Sequence, residues 1–227
     1  MHETTSSSST AAIILAAGSS SRMGEGRHKL QLPLGNRAVL LHGLDAALAS
    51  QARPIIIVLG HQADQVRILL ANYSIHTITI AENPNYMQGM STSIRVGIQA
   101  LIDSNDAILR APTDSALILL GDQPLITQQI IDTLIATRRD TGKRIVTPLY
   151  QGKRSSPTLF DASLFPELMQ LTGDEGGRRL LERYRADIAT VEVGDAMASY
   201  DVDTWETYQQ VLAEWQRRQE QEAEETS

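Results

Sequence analysis

Short unbroken apolar runs alternate with amphipathic stretches along this chain. The strongest runs are Ala11–Ala17, Pro54–Leu59 and Ala116–Leu120, each bounded by Gly or Asp. Unbroken apolar runs of this length are typical of strands that are buried on both faces of a parallel sheet. Weaker strand patterns complete the set at His76–Ala81, Arg144–Thr147, Thr158–Phe160 and Ile188–Val193.

Apolar residues at helical spacing fill most of the intervals between these strands. The predicted helices are Ala38–Ala49, Gln62–Asn72, Ser91–Ile102, Gln128–Arg139, Arg178–Arg185 and Thr204–Trp215. Strands that alternate with helices predict a three-layer α/β/α sandwich with a mostly parallel, Rossmann-like sheet and right-handed crossovers. Ligands bind such sheets at the carboxyl ends of the strands. The residues that follow the apolar runs are therefore the first candidates for a site.

The two ends of the chain differ from the middle. Residues 1–10 are rich in Ser and Thr and are expected to form a disordered tail, whereas 217–227 are dense in charged and amide residues and are expected to form a charged tail. Residues 11–216 then form one domain, because a chain of 227 residues suffices for a single sizeable α/β core.

Composition excludes several classes of function. The net charge of -7 argues against a nucleic-acid-binding surface, which needs a basic face. The absence of cysteine excludes disulfides, thiolate metal sites and cysteine nucleophiles. No apolar run reaches the length of a membrane span, and no signal peptide is visible. We therefore expect a cytoplasmic protein without nucleic-acid or membrane partners.

The first apolar run is followed by a loop of small residues that carries two cations, Arg22 and Lys29. Small residues let backbone N–H groups approach phosphates closely, and the cations add positive charge. The loop is not a P-loop, because Gly24 is followed by Glu rather than Lys, and it lacks the G-x-G-x-x-G spacing of a dinucleotide site. Anion binding is the favoured interpretation, and a flexible turn is the alternative.

Acidic residues follow the apolar run Ala116–Leu120 and precede the last helix. Asp122 lies directly after the run, and Asp201 and Asp203 alternate along a short extended segment, which places them on one side. Carboxylates at strand ends suit Mg²⁺, which takes one or two of them together with phosphates and water. The alternative is that Asp122 closes a turn and Asp203 caps the last helix.

Five segments form an ordered set of motifs along the chain: Leu15-Ala-Ala-Gly-Ser-Ser-Ser-Arg-Met-Gly24, Asn83-Pro-Asn-Tyr-Met-Gln-Gly-Met-Ser-Thr-Ser93, Leu120-Gly-Asp-Gln-Pro124, Gly173-Asp-Glu-Gly-Gly-Arg178 and Asp201-Val-Asp-Thr204. This set resembles that of the MobA-like nucleotidyltransferases that act on the molybdenum cofactor. The resemblance covers Ala11 to Tyr208. Ala17, where guanylyltransferases usually carry a second glycine, is more similar to the cytidylyltransferase branch.

The resemblance implies a fold of the nucleotide-diphospho-sugar transferase type and a reaction. The reaction is transfer of a nucleotidyl group, CMP from CTP rather than GMP from GTP, to the terminal phosphate of molybdopterin, with release of pyrophosphate. Mg²⁺ is the implied cofactor. A phosphate monoester is mostly dianionic at neutral pH, since its second pKa is about 6. No general base is therefore needed, and positioning and charge neutralisation carry the catalysis.

Matched positions imply the role of each site residue. Nucleotide contacts are implied for Leu15, Ala16, Ala17, Gly18, Arg22, Lys29, Asn83, Gly89, Met90 and Ser91. Acceptor contacts are implied for Gly173, Asp174 and Arg178. Asp122 and Asp203 would bind Mg²⁺, ahead of Asp201, and Arg22, Lys29 and Asp122 would form the catalytic set. The histidines, among them His61 and His76, have no matched role and are expected at the surface or at strand ends.

Two departures from the family pattern leave alternatives open. Four residues separate Gly24 from Lys29, so that Arg27 or His28 could share the role of the lysine. Ser155 and Ser156 stand where a glycine and a polar partner are usual, which leaves the acceptor open. The alternatives are transfer to a sugar phosphate or to methylerythritol phosphate, and a nucleotide-binding regulator or cofactor chaperone without turnover.

Overall fold

A computed structural model describes residues 9–24, 27–74, 76–105, 113–174 and 176–225. The described strands are β1 (Ser9–Ala16), β2 (Pro33–Leu34), β3 (Arg37–Ala38), β4 (Ile55–Leu59), β5 (Thr79–Glu82), β6 (Thr113–Leu120), β7 (Ile145–Tyr150), β8 (Lys153–Arg154), β9 (Thr158–Asp161) and β10 (Ile188–Val193). The described helices are α1 (Val39–Ala49), α2 (Ala63–Leu69), α3 (Met90–Asn105), α4 (Gln128–Thr141), α5 (Phe165–Leu168), α6 (Arg178–Arg183) and α7 (Trp205–Glu225).

One large sheet organises the molecule, with the strand order β10-β7-β9-β6-β1-β4-β5 and β8 paired to β7. The neighbours β6, β1, β4 and β5 run parallel, and so do β7 and β10. Strand β9 lies antiparallel between β6 and β7. The predicted sandwich with a mostly parallel sheet is confirmed. Because β1, β4 and β6 are parallel, their carboxyl ends lie along the same edge.

Both faces of the sheet are covered by apolar side chains. In β1, Ala12 and Ile14 pack in one core together with α1, α2 and α4, whereas Ile13 and Leu15 pack in the other with α3, α5 and α6. Successive residues of a strand point to opposite faces, so an unbroken apolar run is what a two-sided core requires. This explains why β1, β4 and β6 read as continuous runs in the sequence.

A third, smaller core lies beside the sheet and joins segments that are distant in the chain. It contains Met23, Leu34, Val39, Leu125, Val202, Tyr208 and Val211. Met23 neighbours Arg22 in the first loop, and Val202 lies between Asp201 and Asp203. The Tyr208 hydroxyl also donates to the Pro33 carbonyl at 2.6 Å. This core therefore fixes α7 and the two acidic residues before it against the first loop.

The described region includes a part of each expected tail. Strand β1 begins at Ser9, and α7 continues to Glu225, through residues that we expected to form the charged tail. Residues 1–8 of the expected N-terminal tail, 226–227 of the C-terminal one, and Glu25 and Gly26 of the first loop lie outside the described residues. Within the described residues, no helix is both long and apolar enough to cross a membrane.

Candidate active site

A cleft of about 600 Å³ opens at the carboxyl edge of the parallel strands. Its walls come from the loop after β1, the residues after β4, the segment before α3, the end of β6 and the acidic segment before α7. Among the residues implied by the family motifs, it is lined by Leu15, Ala16, Ala17, Gly18, Arg22, Lys29, Gly89, Met90, Asp122, Asp174, Asp201 and Asp203. Sequence positions up to about 190 apart thus meet in one place, as the topology of a parallel sheet predicts.

The loop after β1 is held in shape by its own backbone. Ser20 adopts a left-handed conformation with φ of 55°, and its carbonyl accepts from the Met23 N–H at 3.0 Å. Its hydroxyl accepts from the Lys29 N–H at 3.2 Å, which brings the far end of the loop back to the middle. Met23 is buried in the third core, whereas the Arg22 side chain is 73% exposed. The loop therefore has an anchored base and an exposed cation at the cleft.

Lys29 lies at the centre of the charged groups in the cleft. Its Nζ donates to Asp122 Oδ2 and, at 2.6 Å, to Asp203 Oδ1. Arg22 pairs with the other oxygen of Asp203 at 3.0 Å. The Val202 N–H donates to the Asp122 carbonyl at 2.9 Å, which ties the two acidic segments together through the backbone. The carboxylates of Asp122 and Asp203 thus converge on one position, which the ammonium group of Lys29 occupies.

Burial and pairing shift the pKa values of this cluster in opposite directions. Burial alone would lower the pKa of Lys29, but the carboxylates, Asp122 before Asp203, raise it above its usual value. Burial raises the pKa of Asp203, yet the hydrogen bond and charge of Lys29, with Arg22, hold it below the usual range. Burial and then the neighbouring Asp122 raise the pKa of Asp201 to about 6, against a hydrogen bond from Gln123. Lys29 and Asp203 are therefore a charged pair at neutral pH.

The donor set fits a divalent cation of the hard, oxygen-preferring kind. Asp122 and Asp203 direct one oxygen each to a common cation position, and Oδ1 of Asp201 is buried nearby without a hydrogen-bond partner. Within the part of the chain that the structure describes, no ready-made cluster of three or more acidic or histidine ligands occurs. Two carboxylates are what Mg²⁺ usually takes from a protein when substrate phosphates supply other ligands. We therefore assign the metal position to Asp122 and Asp203 as a proposal.

Asn83 lies at the carboxyl end of β5 but does not line the cleft. It is buried, and its Nδ2 donates to Thr92 Oγ1 at 2.8 Å and to Ser93 Oγ at 2.9 Å, while its Oδ1 accepts from the Asn85 N–H at 3.0 Å. These bonds use both hydrogens of the amide. Asn83 thus shapes the segment before α3, and Ser93, which lines the cleft, is placed by it. The direct nucleotide contact implied for Asn83 stays a prediction.

The segment 89–91 docks against 173–174. The Ser91 N–H donates to the Gly173 carbonyl at 3.2 Å, the Ser91 hydroxyl donates to the same oxygen, and the Met90 N–H donates to Asp174 Oδ1 at 3.2 Å. The segment implied in nucleotide binding is therefore hydrogen-bonded to the segment implied in acceptor binding. Asp174 also lines the cleft, whereas Ser91, Gly173 and Arg178 do not, and Arg178 is exposed at the start of α6.

Replacing Gly89 by Ala is expected to break this contact. Gly89 has φ of +107°, and a Cβ there would lie 2.5 Å from the Gly173 carbonyl oxygen and 2.7 Å from Asp174 Oδ1. Real Cβ atoms do not approach backbone so closely, so that the two segments must separate.

For Gly89→Ala we expect at least a tenfold loss of triphosphate affinity, measured by titration calorimetry. Gly142→Ala at the end of α4 has φ of +63° but open space around its Cβ and is the control. An unchanged affinity of Gly89→Ala would contradict the assignment.

Ser156 contacts Gln123, the neighbour of Asp122. Its hydroxyl donates to Gln123 Oε1 at 2.7 Å, and Gln123 Nε2 donates to the Ser199 carbonyl at 3.2 Å. The carbonyl of Ser155 accepts from Thr147 Oγ1 at 3.0 Å. The segment that departs from the family pattern is therefore hydrogen-bonded to the buried Gln123, which directly follows Asp122 in the chain.

Several residues that line the cleft were not assigned from the sequence, namely His61, Tyr86, Met87 and Ser93. His61 does lie at a strand end, directly after the apolar run of β4 and Gly60. The rule that ligands bind after the buried strands of a parallel sheet points to His61 after β4, as it does to the residues after β1 and β6. Tyr86, Met87 and Ser93 belong to the motif segment Asn83–Ser93, in which the family pattern implies nucleotide contacts at other positions.

Arg27 and His28, the alternatives to Lys29, have other contacts. The Arg27 guanidinium lies over the Trp205 ring, 4.4 Å from its centroid. His28 is only 6% exposed, and its Nε2 lies 3.3 Å from the His61 carbonyl oxygen. Neither lines the main cleft, whereas Lys29 does. The geometry therefore favours Lys29 as the cation of this loop that faces the carboxylates.

A mostly parallel sheet with a small-residue cationic loop and paired carboxylates at one edge defines a nucleotide-handling α/β protein. Residues 12–188 match the family model described as the MobA-like NTP transferase domain, and the chain therefore belongs to this nucleotidyltransferase family. The sequence resemblance is thus confirmed at the level of the family.

Similar proteins support the same assignment. The molybdenum cofactor cytidylyltransferase of Escherichia coli is 30% identical over 185 residues, which cover 82% of this chain and 86% of that protein. A solved structure of the Mycobacterium tuberculosis Rv0371c homologue from Mycobacterium sp. strain JC1 is 30% identical, with a TM-score of 0.75 and coverage of 92% and 97%. A manganese complex of Rv0371c from M. tuberculosis is 25% identical, with a TM-score of 0.71 and coverage of 91% and 99%.

Proposed function

We propose that this protein is a divalent-metal-dependent cytidylyltransferase, which moves CMP from CTP to the terminal phosphate of molybdopterin and releases pyrophosphate. The observation that carries the proposal is the convergence of Lys29, Asp122 and Asp203 beside the loop Gly18–Arg22. The similarity to a molybdenum cofactor cytidylyltransferase supports CTP and the pterin acceptor. The manganese complex of a similar protein supports a divalent metal, which we take to be Mg²⁺.

The residues of the cleft have distinct tasks in this proposal. Backbone groups of Leu15 to Gly18 contact the base, because they form the strand end and the narrow start of the loop. Arg22 and Lys29 bind the triphosphate, and Lys29 exchanges its carboxylate partners for phosphate oxygens when the nucleotide enters. A metal held by Asp122 and Asp203 supplies charge neutralisation for the α-phosphate and its leaving group.

The acceptor needs positioning rather than deprotonation. Its terminal phosphate is mostly dianionic above a pKa of about 6, so an oxygen lone pair attacks the α-phosphorus while the bond to the leaving pyrophosphate breaks. No proton has to be removed in this step. Asp174 lines the cleft and would mark the side at which the acceptor enters. Arg178, exposed at the start of α6, suits a phosphate because its planar fork binds oxygens in pairs.

A transfer assay tests the proposal. The purified protein is incubated with MgCl₂ and each of CTP, GTP, ATP and UTP, together with molybdopterin, a hexose 1-phosphate or methylerythritol phosphate. Pyrophosphate release and the mass of the product are recorded. We expect turnover with CTP and molybdopterin, and a rate lower by about a thousandfold or more after Asp122→Asn. Turnover only with another acceptor would overturn the substrate assignment. Triphosphate binding without any pyrophosphate would instead favour a regulator or cofactor chaperone.

A further inference from the structure

Three rings form a cluster at one side of the cleft, namely His28, His61 and Tyr86. Each belongs to a different segment: His28 directly precedes Lys29, His61 follows β4, and Tyr86 begins a single 3-10 turn that ends at Gln88, just before Gly89. His61 and Tyr86 line the cleft, and His28 lies behind them. The proposed reaction assigns no task to any of the three, so their contacts require another explanation.

His28 is held by its neighbour His61. Its Nε2 lies 3.3 Å from the His61 carbonyl oxygen, and the two rings are nearly parallel at 14°, with centroids 5.8 Å apart. Because a carbonyl only accepts, the hydrogen of the ring must be on Nε2, and Nδ1, which is buried without a partner, is then a bare lone pair. Burial lowers the pKa of His28 against this hydrogen bond, and electrostatic interaction with the His61 side chain, and then with Lys29, adds to the lowering.

His61 in turn contacts both walls of the cleft. Its backbone N–H donates to the Ala17 carbonyl at 3.2 Å, in the loop that follows β1. Its Nδ1 lies 3.3 Å from the Tyr86 hydroxyl, in the segment that leads to Gly89 and Met90. At the residue before it, Gly60, a Cβ would lie within 2.9 Å of both Ala17 and Tyr86, so that both walls approach the backbone closely here. His61 therefore bridges the loop after β1 and the segment that contains Tyr86, and it helps to set the distance between them.

The position of Lys29 depends on the same cluster. The His28 carbonyl accepts from the Gln31 N–H at 2.9 Å, which starts the single turn Lys29–Gln31. With the His28 ring fixed on one side and the Ser20 hydroxyl bonded to the Lys29 N–H on the other, the lysine backbone has two anchors. Replacing the His61 side chain would keep this carbonyl bond but remove the ring that stacks on His28, which loosens the first anchor and leaves the second in place.

We propose that His61 is a positioning residue, which holds the Lys29 segment and the Tyr86–Met90 segment at the spacing that a nucleoside triphosphate requires. It acts through His28 and Tyr86 and does not touch the reacting phosphates. The inference rests on the proposed function, because it presumes that the cleft binds a triphosphate. It extends that proposal, because a residue other than the cations and carboxylates of the cleft then contributes to nucleotide affinity.

Direct binding tests the proposal without an acceptor. Titration calorimetry with CTP, GTP, ATP and UTP in MgCl₂ compares the wild type with His61→Ala, His61→Asn, Tyr86→Phe and the double variant His61→Ala/Tyr86→Phe. We expect His61→Ala to weaken binding about tenfold and Tyr86→Phe about threefold, as loss of positioning contacts and of one hydrogen bond implies. The double variant should be no weaker than His61→Ala, since both changes remove the same contact. His61→Asn, which restores a polar atom near the Nδ1 position, should recover part of the affinity.

Other measurements separate positioning from mere packing. His76→Ala, at an exposed histidine outside the cleft, is the matched control and should bind like the wild type. In the transfer assay, His61→Ala should raise KM for the triphosphate while kcat at saturation stays within about twofold. Wild-type affinity in His61→Ala, or additive losses in the double variant, would overturn the inference. So would a fall in kcat as large as the rise in KM, together with a lower Tm. A wild type that binds none of the four triphosphates would overturn the proposed function itself, whereas binding without transfer leaves this test valid.

Discussion

Asp122→Asn is expected to lower the rate of pyrophosphate release by about a thousandfold or more, the range found when a group that neutralises transition-state charge is removed. Asn keeps the shape of Asp and can still accept from Lys29, but it removes one of the two negative charges that converge on the cation position. The backbone bond from Val202 to residue 122 does not involve the side chain. The fold should therefore persist while the chemistry fails.

The measurement is a steady-state pyrophosphate assay, accompanied by thermal unfolding. Asp140→Asn is the matched control, because Asp140 is an exposed acid near the end of α4 and lies outside the cleft. We expect wild-type turnover for the control and an unchanged Tm for both variants. If Asp122→Asn retained turnover within a factor of ten of the wild type, Asp122 would not be a metal ligand in this reaction.

Lys29→Met is expected to weaken triphosphate binding by about ten- to a hundredfold and to make stability depend on divalent metal. In the ligand-free protein, Lys29 neutralises Asp122 and Asp203, and Asp201 is buried close enough for their charges to raise its pKa. Removal of the ammonium leaves acidic groups facing one another in a partly buried cleft, which is unfavourable. Mg²⁺ at the same position would restore the balance of charge.

Calorimetry and thermal unfolding with EDTA or MgCl₂ check both parts. The variant should have a lower Tm than the wild type in EDTA and should gain more from MgCl₂ than the wild type does. Lys153→Met, at an exposed lysine of β8, should behave like the wild type in both tests. Unchanged triphosphate affinity in Lys29→Met would transfer its role to Arg27 or His28. A Tm that does not respond to Mg²⁺ would contradict a shared position for the lysine and the metal.

The roles proposed for single residues rest on different kinds of support. Lys29, Asp122 and Asp203 meet in the structure, and their contacts agree with the tasks implied by the family motifs. Asn83, Ser91 and Gly173 carry motif positions, but their polar groups bond to neighbouring segments. For these residues the structure favours a supporting role, in which they hold the segment before α3 in shape. Direct ligand contacts for them stay predictions.

Much of the fold could be predicted from the sequence, because its signals are local. The runs at β1, β4 and β6 are continuous since both faces of each strand are covered, and amphipathic periodicity marks α1, α3 and α4. The short elements escaped prediction for the same reason. Strands β2, β3 and β8 have two residues each, and α5 has four, so they carry no recognisable period. The antiparallel placement of β9 between β6 and β7 is a matter of long-range pairing, which its own residues do not specify.

The sequence by itself determined the class of fold, the family and the chemistry of three strand-end segments, because side-chain type and spacing are local properties. Only the tertiary structure decided which of these groups meet. Lys29 and Asp203 are 174 positions apart, yet the third core, through Met23 and Val202, brings their segments together. The docking of Gly89–Ser91 on Gly173–Asp174 and the path from His28 through His61 to Tyr86 also arise from packing between loops. Such contacts depend on how several buried segments pack against one another, which no single stretch of sequence specifies.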